Sequence, residues 1–155
     1  MTKEEEISGR ILAQFPFLDG KTRVQRARRI WVETPGDKFD GVLNWLVDKE
    51  AFNNLCTITG QDEGEVFSIT YHLARKDGIV LNLKVMVARQ KPEWKSVASW
   101  FPGCVNYERE IAGLFGVQFA NLPPGPRYPL PDDWPEGEYP LRKDWKQENP
   151  DGENK

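Results

Sequence analysis

The residue types that could do chemistry are few and dispersed. His72 is the single histidine, and the two cysteines, Cys56 and Cys104, lie far apart without a second pair of ligands, which falls short of a protein-only zinc or iron–sulfur site. Carboxylates cluster as Asp132 and Asp133, as Glu108 and Glu110, and as Glu4 to Glu6. General acid–base work needs two such groups converging in a cleft with separated pKa values, whereas neighbouring exposed acids are ordinarily just solvated. His72 falls at an outward position of an alternating stretch, and neither a nucleophile elbow nor a glycine-rich phosphate loop is present. Cys104, close to a predicted helix start, is a candidate for a lowered thiolate pKa, with packing as the simpler role. These residues predict no catalytic group, metal or cofactor site in the chain itself.

Composition limits the remaining classes. At 155 residues the chain fits one domain with an extension. Its 21 basic residues stand against 24 acidic ones, giving a net charge of -3 and no global field to collect nucleic acid or anionic lipid. Both thiols are expected to be reduced in a cytosolic compartment. The opening MTKEEEISGR is acidic where a secretory signal is basic, and no apolar run approaches the roughly 20 residues that span a bilayer, so the chain is expected to be at most peripheral to a membrane.

The elements that would position any site follow from periodicity. Thr2 and Glu5 form a capping box ahead of Ile7, Ile11 and Phe15, predicting a helix that runs to Pro16. KTRVQRARRIWVE, from Lys21 to Glu33, holds Lys21, Arg23, Arg26, Arg28 and Arg29; its alternation reads as a strand with an edge-protecting charge set rather than a nucleic-acid patch. Phe39, Val42, Leu43, Leu46 and Val47 define the strongest helix. Leu55 to Thr59 reads as a strand ending in turn residues Gly60 to Gly64. Phe67, Ile69, Tyr71 and Leu73, then Ile79, Leu81, Leu83, Val85 and Val87, predict an antiparallel hairpin across Lys76, Asp77 and Gly78. Trp94, Val97, Ala98 and Phe101 suggest a two-turn helix, and a second, capped by Asn106, carries Tyr107, Ile111, Leu114 and Phe115 to a stop at Gly116. The fold class is therefore α+β: a small, mainly antiparallel four-stranded sheet with helices on one face and a long proline-rich extended C-terminal arm.

Seven prolines between Pro123 and Pro140 forbid a continuous helix or a central strand. Yet this stretch holds Leu122, Tyr128, Leu130, Trp134, Tyr139, Leu141 and Trp145, too many large apolar groups for a disordered linker. The expected division is a globular domain over 1–119, an extended docking arm over 120–145 and a disordered tail over 146–155. The charged triplets Glu108, Arg109, Glu110 and Arg142, Lys143, Asp144 bracket the arm. In PLRKDW a proline, an apolar residue and an aromatic surround the arginine, as expected when a planar guanidinium locks an arm onto carboxylates or backbone carbonyls. Glu108 and Glu110 are the candidate partners of Arg142 within the chain; otherwise its acceptor lies on a partner subunit.

NYEREIAGLFGV followed by PEGEYPLRKDW resembles the small soluble subunit, known in bacteria as the C subunit, of the hydrophilic arm of respiratory NADH:quinone oxidoreductase, and its counterpart in membrane-bound nickel–iron hydrogenases. The matching positions are Glu108, Arg109, Glu110, Phe115, Gly116, Tyr139, Pro140, Leu141, Arg142, Lys143 and Asp144, in two motifs about thirty residues apart. Where quinone-type members continue as YDM or WDM and then GHPDLRR, this chain reads IAGLFGV and FANLPPGPRYPLPDDW, which is more similar to the hydrogenase and formate-hydrogenlyase branch. The resemblance implies a subunit with no catalytic residue, cluster, metal or flavin of its own. Iron–sulfur clusters and a nickel–iron centre, or quinone, would belong to the parent complex, peripheral on the cytoplasmic side of the cell membrane. The implied partners are a large nickel–iron-hydrogenase-like or quinone-binding subunit, iron–sulfur subunits and, indirectly, membrane subunits, with no nucleic acid. Docking to them is assigned to Glu108, Arg109, Glu110, Arg127, Tyr128, Trp134, Tyr139, Pro140, Leu141, Arg142, Lys143, Asp144 and Trp145. The readings that compete are a quinone-reducing NADH dehydrogenase-type parent and, from another class, a free-standing small-molecule enzyme or binding module, for which an apolar proline-rich arm would be an association liability.

Overall fold

The computed structural model describes residues 1–148. Helix α1 (Lys3–Gln14) starts as predicted, with the Thr2 hydroxyl accepting from Glu5 N at 3.2 Å and the Glu5 carboxylate accepting from Thr2 N at 2.7 Å. Strands β1 (Thr22–Arg26) and β2 (Arg29–Glu33) follow, then α2 (Phe39–Asp48), β3 (Asn54–Asp62), β4 (Val66–Ala74), β5 (Val80–Ala88), β6 (Glu93–Lys95), α3 (Val105–Phe115) and β7 (Gln118–Ala120).

The expected four-stranded, mainly antiparallel sheet is corrected to a mixed sheet of five strands in the order β1-β2-β5-β4-β3, beside a two-stranded parallel pair of β6 and β7. The predicted β4–β5 hairpin is present, pairing Phe67 with Val87 and Leu73 with Leu81. What alternation did not reveal is a break at Ala27 and Arg28 that folds Lys21 to Glu33 into two antiparallel strands. Arg28 takes a left-handed φ of 61° where a glycine would ordinarily announce the turn, and its N–H donates to the Glu4 carboxylate at 2.5 Å. Strand β2 then lies parallel to β5, Ile30 opposite Leu81 and Val32 opposite Leu83.

Three further boundaries move. Gly60, Gln61 and Asp62, expected in a turn, belong to β3, because Gly60 sits under α3: a Cβ there would come within 2.8 Å of the Phe115 ring and 3.3 Å of Ile111. The helix expected from Trp94 to Phe101 is strand β6 followed by turns; Trp94 pairs with Phe119 and donates its indole N–H to the Tyr71 hydroxyl at 2.9 Å, so the tertiary partner overrides local periodicity. Finally, α3 starts at Val105, one residue before the predicted cap, led in by a 3-10 turn over Pro102–Cys104.

One apolar core unites α1, α2 and α3 with one face of the sheet, where Ile30, Val32, Ile69, Tyr71, Leu73, Leu81, Leu83 and Val85 are fully buried. The other face is polar. A cross-strand chain links Thr59 Oγ1 to His72 Nε2 at 2.8 Å and His72 Nδ1 to Asn82 Oδ1 at 2.6 Å, and Asn82 Nδ2 donates to Ile30 O at 3.4 Å. His72 therefore serves as a link between strands, in keeping with its outward position. The tail predicted over 146–155 lies from Asn149 onward outside the described residues.

Candidate docking site

The last turn of an α-helix leaves carbonyl oxygens without intrahelical donors. In α3 these include Leu114 O and Phe115 O, open to new partners because Gly116 caps the helix in the left-handed region at φ 79°. The arm returns to fill them. Leu141 N donates to Leu114 O at 3.1 Å, and Arg142 Nε donates to Phe115 O at 2.7 Å. A cation at a helix C-terminus also meets the negative end of the helix dipole. The Arg142 guanidinium lies between two rings, 4.5 Å from the Tyr139 centroid and 5.2 Å from that of Phe67. Gly116 is required for this approach as well as for the turn, since a Cβ would fall 2.5 Å from Tyr139 and 2.6 Å from Arg142 Nη2. Of the acceptors anticipated for Arg142, a backbone carbonyl is the one it uses; the pairing with Glu108 or Glu110 does not form.

A second clamp lies one residue further along. Asp62, 3 % exposed, accepts from Lys143 N at 2.8 Å, from Arg89 Nη1 at 2.6 Å and from Gly64 N at 2.9 Å. Burial pushes its carboxyl upward, but Arg89 and the two backbone donors outweigh burial and hold it far below the usual carboxylate range. Arg89 bridges onward to Asp144 at 2.7 Å and stacks on Phe67 at 5.1 Å from the centroid, so Arg89 and Arg142 both contact that ring. Asp62, Arg89 and Phe67 were absent from the expected site. The only local sign was Asp62 two residues before Gly64, an Asx-turn signature that marks a turn and not a receptor for the arm.

Between the clamps and β7 the arm loops over α3. Arg109 Nη2 donates to Pro123 O at 2.9 Å, and Arg127 donates to Trp134 O. Trp134 and Trp145 pack at 5.9 Å between centroids and both reach Glu138, through its carbonyl at 2.9 Å and its carboxylate at 3.3 Å. An open cleft of about 650 Å³ remains between arm and helix, lined by Arg109, Gly113, Phe119, Leu122, Tyr128 and Trp134. Tyr128 is 45 % and Leu141 52 % exposed, and Glu110, Lys143 and Asp144 also face outward. Pro140, Tyr139 and Arg142 are half-buried beneath them.

Glu108 stands apart from the rest of the expected set. It is fully buried, so the structure places it in the interior rather than on a docking surface. Its Oε1 accepts from Val97 N at 2.7 Å, Oε2 has no hydrogen-bond partner among the described residues, and burial raises the carboxyl. Cys104 is buried beside it, and its thiol is pushed up to about 12, first by burial and then by the Glu108 charge, so of its two candidate roles it takes packing and not that of a low-pKa thiolate. Among the described residues no three His, Cys, Asp or Glu side chains gather to hold a metal, and no helix is long and apolar enough to cross a membrane.

This helix and its arm lie within the span matched by a known family. The family of the respiratory-chain NADH dehydrogenase 30-kDa subunit matches residues 32–151, and the chain belongs to it. The C subunit of the F420H2 dehydrogenase of Methanosarcina mazei is 34 % identical over 139 residues, covering 88 % of this chain and 87 % of its own. The membrane-bound hydrogenase subunit beta of Pyrococcus furiosus is 27 % identical over 152 residues, covering 94 % of this chain and 88 % of its own. Among solved structures, a chain of the membrane-bound sulfane sulfur reductase, an archaeal respiratory membrane complex, superposes with a TM-score of 0.81 at 28 % identity, covering 94 % of this chain and 86 % of that one.

Proposed function

We propose that the chain is a non-catalytic structural subunit of a membrane-bound, ion-translocating oxidoreductase complex of the energy-converting nickel–iron hydrogenase type. It docks on the large catalytic subunit beside the iron–sulfur chain, peripheral to the cytoplasmic face of the membrane. The observation that carries this reading is that one chain-length fold recurs in complexes named for different reactions: NADH dehydrogenase, F420H2 dehydrogenase, hydrogenase and sulfane sulfur reductase. A module that stays the same while donor and acceptor change supplies neither; it supplies shape. Function follows the site and not the fold, and here the site is a surface.

The surface favoured for docking is the arm and the outward side of α3, with Tyr128, Leu141, Glu110 and the cleft at its centre. PLRKDW fastens the arm to its own domain and so presents it preorganised, which lowers the ordering cost of association. A quinone-reducing parent of the NADH dehydrogenase type is the second reading, favoured by the family match itself. The test is purification of the native assembly in mild detergent and identification of its components. Recovery with a nickel-containing large subunit is expected; a quinone-reactive large subunit would select the second reading, and a lone monomer would overturn both.

A further inference from the structure

A strongly charged surface that the clasped arm does not explain is the β1–β2 hairpin. Lys21, Arg23, Arg26, Arg28 and Arg29 fall within nine residues with no acid among them, while the other 16 basic residues share the rest of the chain with all 24 acidic ones. Lys21, Arg23, Arg26 and Arg28 are exposed and Arg29 is half-buried. Among the described residues none of the five enters an ion pair, whereas Arg10 and Arg75 hold Glu50, and Arg89 holds Asp62 and Asp144. The acids nearby are spoken for or few. Glu4 accepts from Arg28 N, Glu63 pairs with Lys84 at 2.6 Å, and Glu33 lies beside Lys21 and Arg23.

Like charges on paired strands oppose one another, and register sets Arg26 directly against Arg29. Charges guard an edge strand against stray pairing; five cations within nine residues also leave a local repulsion that carboxylates from outside would relieve. The patch is also shaped. A shallow concavity of about 490 Å³ is lined by Lys21, Arg23, Trp31, Glu33 and Lys84, with the indole fixed by its N–H donating to Gln25 Oε1 at 2.7 Å and Arg23 lying 5.9 Å above the ring. Among the described residues β1 pairs with β2 alone, so its second edge carries no strand. Arginine forks seat carboxylates in two-point contact, and four of the five cations are arginines.

We propose that the β1–β2 hairpin is a second docking surface, taking an acidic segment of a partner subunit onto Arg23, Arg26 and Arg28, with Lys21 and Arg29 flanking. This rests on the reading of the chain as a subunit. The alternatives fit less well. Nucleic acid needs open aromatic faces for stacking, and Trp31 is covered by Arg23 and tied to Gln25. A bilayer surface needs apolar groups to insert, and the hairpin exposes only Val24, at 37 %, among its large apolar side chains.

The experiment uses the native assembly carrying the full chain with a photoreactive benzophenone side chain at Val24. Irradiation should join Val24 to a segment rich in Asp and Glu on a co-assembled subunit. A cross-link to lipid, to nucleic acid or to a segment without acids would overturn the proposal, as would an intact assembly that yields no cross-link. In parallel, the combined variant Arg23→Gln, Arg26→Gln, Arg28→Gln should be retained by the assembly about tenfold less well in low salt, the difference closing in ~0.5 M salt where exposed pairs are screened. Its circular dichroism and thermal midpoint should match the parent chain, since the three side chains are exposed. Equal retention of the variant at low salt would also overturn it. Recovery of the chain as a lone monomer fails the functional reading instead, so the two failures are told apart.

Discussion

The body and the arm of this molecule are held by different forces. In the body, residues up to Val117 contribute every member of the buried apolar core among the described residues, with Phe39 5.0 Å from the Tyr71 ring and 5.2 Å from that of Trp94. The arm contributes none; it is fastened by two orphan helix carbonyls, one buried carboxylate and two guanidinium groups against Phe67. Apolar burial is non-directional and summed over many contacts, so it tolerates local change and yields a cooperative unit. Polar clamps are few and directional, so each can be opened alone. A surface held in this way can be ordered in the free chain and still be released or adjusted at a partner.

The comparison breaks most clearly in the core. Phe39→Ala should destabilise the whole domain by about 3–5 kcal/mol, read as a lower denaturant midpoint with tryptophan fluorescence and circular dichroism moving together. Separate transitions by the two probes would show that the body is not one unit.

Asp62→Asn comes next. Removing the charge that Arg89 and Lys143 N share should cost about 2–3 kcal/mol, and limited proteolysis within residues 121–138 should accelerate while the body stays folded. The pH dependence has a definite sign. A carboxyl held below its unfolded value contributes stability above the ordinary Asp pKa of about 3.9 and loses it as pH falls below that value. The variant should lack this acid-side loss.

Arg142→Ala should cost about 1–2 kcal/mol through the lost helix-end and ring contacts, loosening the arm in hydrogen exchange at Leu141 and Arg142. Arg142→Lys should recover part of it, because an ammonium can reach Phe115 O but cannot stack as a plane between Tyr139 and Phe67. Full recovery by lysine would mean that charge alone holds the clasp.

The smallest effect is expected at Glu108, and it is a change of slope. Burial raises its folded pKa, so the folded chain keeps a proton that the unfolded chain releases, and stability falls as pH rises above about 4.3. Glu108→Gln stays neutral and should flatten that limb in thermal melts taken from pH 4.5 to 8. An unchanged slope would show that Glu108 does not titrate with folding.

By itself the sequence determined whatever depends on neighbours close along the chain. The capping box at Thr2, the apolar stripe of α2, the alternation of Phe67 to Leu73 against Ile79 to Val87 and the stop at Gly116 all appear where periodicity puts them. The two motifs that carry the family resemblance both lie inside the matched span of residues 32–151. Tertiary structure decided what depends on distant partners. The parallel pairing of β2 with β5 needs a hairpin turn at Arg28 that no glycine announces, and Trp94 is drawn into a strand by Phe119 and Tyr71. Each charged triplet by itself reads as a solvated run, yet Glu108 went inside and Arg142 chose Phe115 O over either carboxylate. Periodicity records which face of an element is buried. It carries no information about which carbonyls a helix end leaves unpaired, nor about which remote carboxylate, here Asp62, the fold brings within hydrogen-bond reach.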